Sequence, residues 1–247
     1  MRVLGIIPAR FGSTRFPGKP LALIHGKTMI SRVYHQAKSC DQITHLVVAT
    51  DDQRIFDHIQ QFGGMAEMTS PDHVNGTSRC LEVLEKQSEE YDLVINIQGD
   101  EPYLQPDQIS ELIHAMSTSA APVGTLVKVI TDIQELDNPN IVKVVRQQTG
   151  LALYFSRCAI PFCKPEHRQE HFSKGLFLKH VGVYAYRPRV LRILPSLLPG
   201  KLEESESLEQ LRWLEQGVYI TTALTSFENH AVDVPSDVAK LESIYAG

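Results

Sequence analysis

Three stretches of this 247-residue chain bring together residue types that can do chemistry. The first is Pro8-Ala9-Arg10-Phe11-Gly12-Ser13-Thr14-Arg15-Phe16-Pro17-Gly18-Lys19-Pro20, directly after a short apolar run at 3–7. Its glycines let backbone N–H groups approach phosphate oxygens, and Arg10, Arg15 and Lys19 can converge on one anion. It is not a Walker A loop, because five residues separate Gly12 from Gly18 and Pro20 stands where Ser or Thr would follow the lysine. The second stretch, Asn96-Ile97-Gln98-Gly99-Asp100-Glu101-Pro102, ends another apolar run. Mg²⁺ takes one or two carboxylates and shares its remaining positions with phosphate oxygens and water, which makes Asp100 the natural ligand. Glu101 reads as a second ligand or, more simply, as a turn residue before Pro102. The third is Val232-Asp233-Val234-Pro235-Ser236-Asp237. Alone, Asp233 reads as an N-terminal helix cap; paired with Asp100, it reads as a second metal ligand.

Charge points the same way. Residues 1–40 hold seven of the chain's 24 basic residues and none of its 29 acidic ones, within a net charge of −5. An acidic chain with a purely cationic first segment is suited to bringing an anion there, and its overall sign argues against a general nucleic-acid binder.

The elements that must carry these stretches alternate through the first half. Apolar runs at 3–7, 45–50 and 92–98 read as strands, and periodic patterns at 28–38, 52–62, 77–88 and 107–117 read as helices. That order points to βαβ units with a parallel sheet, whose strand carboxyl ends are where such folds bind ligands. The second half is β-rich, with strands expected at 123–130, 141–147, 151–157, 178–186 and 218–224. Helices are expected at 187–198 and 205–216, and a closing helix at 235–246 with Pro235 in its first turn. One domain is expected, its first half over about 1–120 and a β-rich substrate lobe over about 121–230. No apolar run approaches the roughly 20 residues that cross a bilayer. The opening segment lacks the longer apolar stretch and small-residue site of a secretory signal. The four cysteines, Cys40, Cys80, Cys158 and Cys163, form no CxxC pair, so reduced thiols and a cytoplasmic location are expected.

PARFGSTRFPGKPL, NIQGDEP, ALYFSR, LKHVGVYAYR, LEQLR and VDVPSD follow one another across residues 1–240. As an ordered set they resemble the 3-deoxy-manno-octulosonate (Kdo) cytidylyltransferases. The resemblance implies a three-layer, Rossmann-like α/β fold of the nucleotide-diphospho-sugar transferase type, with a mostly parallel sheet and a β-rich substrate lobe. It also implies a homodimer and Mg²⁺ as cofactor, with CTP and Kdo as substrates and CMP-Kdo and pyrophosphate as products for lipopolysaccharide assembly. By matched position, Arg10, Arg15 and Lys19 would hold the triphosphate, Asp100 and Asp233 the metals, and Val74, Asn75 and Gly76 would border the base. Arg10, Lys19 and Asp100 would be catalytic. Gln98, Arg157, His180, Tyr184, Glu209 and Gln210 would line the sugar site.

The chain departs from the family at Asn75-Gly76-Thr77-Ser78-Arg79, where relatives usually read S/T-G-T-E/D-R, and at Ala185, where many have Gly. Judged by residue type alone, His180 reads as a satisfied structural histidine. Glu203, Glu204, Glu206 and Glu209 read as a solvated helix face, and Leu208, Leu211, Trp213 and Leu214 as core. A cytidylyltransferase for another sugar acid, of the sialic acid type, is the alternative within enzymes. A non-catalytic nucleotide-sugar sensor is the alternative outside them.

Overall fold

β1 (Val3–Ala9) is buried along almost its whole length, as expected of a strand covered on both faces. It pairs in parallel with β4 (His45–Thr50) and β6 (Leu93–Asn96), and β4 pairs in parallel with β5 (Ala66–Met68). A small antiparallel hairpin, β2 (Leu23–Ile24) and β3 (Lys27–Thr28), precedes the first helix. The computed structural model describes residues 1–245 and separates them into two units. Unit 1 is Met1–Ser110 together with the segment from Asn229 onward, and unit 2 is Glu111–Glu228.

The helices of unit 1 start where side-chain oxygens can cap them. Thr28 accepts from the Ser31 N–H at the start of α1 (Met29–Lys38), Asp52 from Arg54 N–H at α2 (Gln53–Gln61), and Asn75 from Ser78 N–H at α3 (Gly76–Lys86). α1 buries Met29, Ile30, Val33, Tyr34 and Ala37. Each large aliphatic among them contributes about 1.5–3 kcal/mol of burial. α4 (Pro106–Thr118) carries the chain from one unit into the other. α10 (Pro235–Ile244) returns to unit 1, and its Leu241 joins Ile24, Met29 and the fully buried Val232 in one apolar cluster. That cluster anchors the segment on which Asp233 sits. The expected closing helix therefore ends at Ile244, and Ala246 lies outside the described residues.

Unit 2 is built on β7 (Val123–Val129), which runs antiparallel to β10 (Leu178–Tyr186) and parallel to β11 (Ile220–Leu224). β8 (Lys143–Arg146) pairs antiparallel with β10 and with β9 (Ala152–Ser156). α5 (Ile133–Asp137) and α6 (Pro165–Ser173) were not expected from the sequence. α6 buries none of its residues and so carries no apolar period to read. The helix expected at 187–198 is only α7 (Pro188–Leu191) and a 3₁₀ turn at Leu194–Ser196, because Pro195 cannot continue an α-helix. The helix expected at 205–216 is two helices, α8 (Lys201–Glu206) and α9 (Glu209–Glu215), parted by Ser207 at φ 53°. The α/β class with mostly parallel pairing is borne out. The four cysteines are free thiols, and among the described residues no helix is long and apolar enough to cross a membrane.

Candidate active site

In unit 1 the paired register of β1 and β6, with Ile6 opposite Asn96, sends both chains out at the same edge of the sheet. The 10–19 loop leaves from one strand and the 97–102 turn from the other. A Cβ on Gly99 would stand 2.7 Å from the Pro8 carbonyl oxygen, so this close approach of two backbones admits only glycine. Gly18, at φ +73°, lies against the Phe11 ring, and the Phe11 carbonyl accepts the N–H groups of Ser13 and Gly18. Phe11 is thus the pin around which the cationic loop folds, with the Arg54 guanidinium 3.3 Å from the centre of its ring.

The loop delivers its cations to the carboxylates picked out in the sequence. Lys19 Nζ donates to Asp100 Oδ2 at 2.6 Å and to the Val232 carbonyl at 2.9 Å. Arg15 donates to Asp233 Oδ1 at 3.1 Å, and the Val232 N–H donates to the Asp100 carbonyl at 3.0 Å. Asp100 and Asp233 therefore sit on adjacent stretches of backbone. Arg10 is exposed, and its guanidinium has no partner among the described residues. The cap reading of Asp233 fails. Asp237 Oδ2 takes the N–H groups of both Asp233 and Val234, at 3.0 and 3.1 Å, which leaves the Asp233 carboxylate facing Arg15.

α3 begins close by. A Cβ on Gly76 would meet the Asn96 amide at 3.1 Å and Pro8 at 3.5 Å, so the 74–76 segment lies beside the strand ends. Val74 is 85% exposed, and Asn75 is spent partly on the cap of α3. Ser78 is hydrogen-bonded to His73, whose other ring nitrogen meets Glu82. The Ser70 N–H and Lys86 hold the same carboxylate, and these donors outweigh its partial burial, bringing the Glu82 pKa down to about 2. Gln98 is in the same unit.

Glu101 is a turn residue, as its place before Pro102 suggested, with its N–H on the Gln98 carbonyl and its own carbonyl on the Leu104 N–H. It is buried, and desolvation together with the neighbouring Asp100 charge pushes its pKa up to about 7. Its hydrogen-bond donor is Asn229, a residue that no sequence motif marks.

The remaining candidates belong to unit 2. His180 and Tyr184 both lie on β10, with ring centroids 5.2 Å apart, and Phe155 packs edge-on to His180. This apolar cover pushes the His180 pKa down to about 4, so the ring is neutral near pH 7. The Thr125 hydroxyl donates to the Val183 carbonyl at 2.9 Å, so toward His180 Nε2, also at 2.9 Å, it accepts. The imidazole proton then resides on Nε2, and Nδ1 is left as an acceptor. Burial, Tyr186 and Glu209 raise the Tyr184 phenol well above its ordinary range, which keeps it a neutral donor. Gln210 is 5% exposed with no partner for its amide among the described residues, and the nearby Trp213 Nε1 is buried and unpaired. Leu208, Leu211 and Trp213 are core, as their types suggested.

Arg157 has a different occupation from the one its motif implies. Its Nε donates to the Glu206 carbonyl at 2.7 Å, and its other nitrogens reach the carbonyls of Pro139 and Ser207. The Glu206 carboxylate accepts from Ser156 Oγ at 2.6 Å and from the Arg157 N–H at 2.8 Å. Glu206 is thus no solvated face residue, and Glu203 is likewise held by Arg212, through two 2.6 Å contacts. Arg157 clamps the turn that leads into α9, which carries Glu209 and Gln210.

Asp100 and Asp233 are hard oxygen donors, and among the described residues no group of three or more His, Cys, Asp or Glu could hold a metal. Two carboxylates beside an unpaired arginine and two further cations suit a divalent ion that shares its shell with phosphate oxygens.

This α/β fold, with a cationic loop and Asp100 at parallel strand ends and Asp233 just ahead of α10, is that of the nucleotidyltransferases. Residues 4–222 match the family model described as cytidylyltransferase. The chain is 46% identical to a 3-deoxy-manno-octulosonate cytidylyltransferase of Cytophaga hutchinsonii, over 97% of its own length and 96% of the relative's. It is 45% identical to the protein of that name from Parabacteroides distasonis, over 97% and 96%. Its backbone matches the structure of CMP:2-keto-3-deoxy-manno-octonic acid synthetase complexed with CTP at a TM-score of 0.91 and 40% identity, covering 100% of this chain and 99% of that one. The chain belongs to the 3-deoxy-manno-octulosonate cytidylyltransferase family.

Proposed function

We propose that this protein transfers CMP from CTP to the anomeric hydroxyl of Kdo, giving CMP-Kdo and pyrophosphate for lipopolysaccharide biosynthesis. The observation that carries the reading is the contact of Lys19 with Asp100 and of Arg15 with Asp233, in a chain 46% identical over nearly its full length to a protein named for this reaction.

In this reaction the anomeric oxygen forms a bond to the α-phosphorus of CTP, the bond from that phosphorus to the bridging oxygen breaks, and the hydroxyl proton is lost. CTP brings about four negative charges and the sugar acid one more, so gathering charge is the main task. Arg15 and Lys19 are held by carboxylates that can exchange them for phosphate oxygens, and Arg10 is already open to an incoming anion. Arg15 and Lys19 then hold the departing pyrophosphate, while Arg10 meets charge growing on the α-phosphate. Asp100 and Asp233 are the residues suited to hold Mg²⁺, which when bound supplies charge neutralisation and Lewis acidity at the phosphates. The 74–76 segment borders the base. His180 accepts a hydrogen bond from a sugar hydroxyl through Nδ1, and Tyr184, Gln98, Glu209 and Gln210 supply the other polar contacts. Arg157 serves this set by fixing the turn before α9. The chain acts in the cytoplasm as a homodimer. Unit 2 exposes Phe162 and Leu198 strongly, apolar residues of the kind such a contact covers.

Pyrophosphate release with CTP, Mg²⁺ and a panel of sugar acids tests the reading. Kdo supporting turnover far above a sialic acid, and CTP far above ATP or GTP, is the expected pattern. Equal rates across the sugars would remove the Kdo assignment, and no release with any of them would leave only a nucleotide-sugar sensor.

A further inference from the structure

One buried polar chain in unit 1 has no part in the roles given so far. Glu101 is 7% exposed, and its Oε2 accepts from Asn229 Nδ2. Asn229 Oδ1 in turn accepts from Nε2 of the fully buried Gln108 at 2.6 Å, and Gln108 Oε1 takes the Gln105 N–H at 3.0 Å. Both ends of the Asn229 amide are therefore committed. Turning it over would set its oxygen against a carboxylate and its NH₂ against another NH₂, so the chain admits one orientation. Each end touches backbone that carries a nominated metal ligand. Glu101 follows Asp100, and Asn229 opens the short segment to Val232, whose N–H meets the Asp100 carbonyl, and to Asp233.

We propose that Asn229 is a positioning residue for the phosphate and metal site: by tying Glu101 to Gln108 it fixes the Asp100 turn against the segment that bears Asp233. The inference rests on the reading of these two aspartates as Mg²⁺ ligands. Removing the amide leaves a buried carboxylate without its donor, and such a group recovers solvation only by moving the turn it sits on. Asp100 moves with that turn.

The test uses the full-length protein and three variants: Asn229→Ala, Asn229→Asp, and the exchange Asn229→Asp with Glu101→Gln. In the exchange the new amide donates to the new carboxylate, which still accepts from Gln108, so the chain is rebuilt with only the 101–229 link reversed. CTP binding by calorimetry and CTP turnover are each followed against Mg²⁺ concentration, beside melting curves without ligand. Both single variants are expected to need about 10- to 100-fold more Mg²⁺ for half-maximal CTP binding, the usual cost of losing a supporting partner behind a metal ligand. The KM for Kdo at saturating Mg²⁺ should stay as it was, and the exchange should bring the Mg²⁺ requirement back to the wild-type value. Lowered melting temperatures with an unchanged Mg²⁺ requirement would overturn the proposal, as would an exchange variant no better than the single ones. Wild-type CTP binding that ignores Mg²⁺ is a separate result, and it would refute the metal reading of Asp100 and Asp233 itself.

Discussion

At the scale of single residues, the proposed chemistry rests most heavily on Asp100. Its carboxylate lies in a turn where Lys19, Val232 and the close Gly99–Pro8 approach all meet. Asp100→Asn is expected to leave the melting curve near wild type while cutting kcat about a thousandfold, because several kcal/mol of charge stabilisation disappear from the transition state. Near-normal pyrophosphate release from the folded variant would remove Asp100 from the metal site. His180 makes a different claim. His180→Ala and Gln210→Ala should raise the KM for Kdo far more than that for CTP, each losing roughly 1–3 kcal/mol of contact to a charged sugar. A lower melting temperature with both KM values unchanged would assign them to structure alone. The depressed pKa of His180 adds a pH signature. Its folded value of about 4 lies below the ordinary 6.5, so on acidification the unfolded chain takes up the proton first. The stability concerned is intact above about pH 6.5 and is lost as pH falls toward 4. The melting temperature of His180→Gln should accordingly fall less than that of wild type between pH 7 and pH 5.

At the scale of elements, α3 is bolted to the end of β4 by a buried ion pair. Arg79, with a side chain only 4% exposed, donates to Asp51 Oδ2 at 2.8 Å and to Thr69 Oγ1. Arg79→Met leaves Asp51 without its countercharge and is expected to destabilise the protein by about 3–5 kcal/mol. Adding Asp51→Leu should recover part of that loss in chemical denaturation. A single variant within 1 kcal/mol of wild type, measured roughly on the usual scale of surface substitutions, would show that the pair contributes little. Elements also show what sequence could deliver. In unit 1, β1, β4 and β6 were legible as apolar runs, and α1 and α2 because each couples an apolar period to a cap or a glycine stop, as at Thr28, Asp52 and Gly63. By contrast, β2, β3 and β5 are two or three residues long and give no such period. The break at Pro195 had a signal that periodicity outweighed, whereas α6 had none.

At the scale of the molecule, the meeting of the cationic loop with Asp100 and Asp233 was legible because each piece is a contiguous motif at the carboxyl end of a strand or the start of a helix. What stayed hidden is made of long-range pairs. Asn229 meets Glu101 across 128 residues, and nothing in either local sequence names the other. The carbonyls that occupy Arg157 are equally invisible to a motif, since every residue type carries one. Phosphorus NMR of the complete reaction with Mg²⁺ follows the passage of the cytidylyl group from CTP to Kdo as it happens. Pyrophosphate and CMP-Kdo should appear one to one, neither forming when Kdo is omitted and both forming about a thousandfold more slowly when Asp100→Asn replaces the wild type. Pyrophosphate released without Kdo, or CMP-Kdo formed by Asp100→Asn at the wild-type rate, would contradict the proposed transfer.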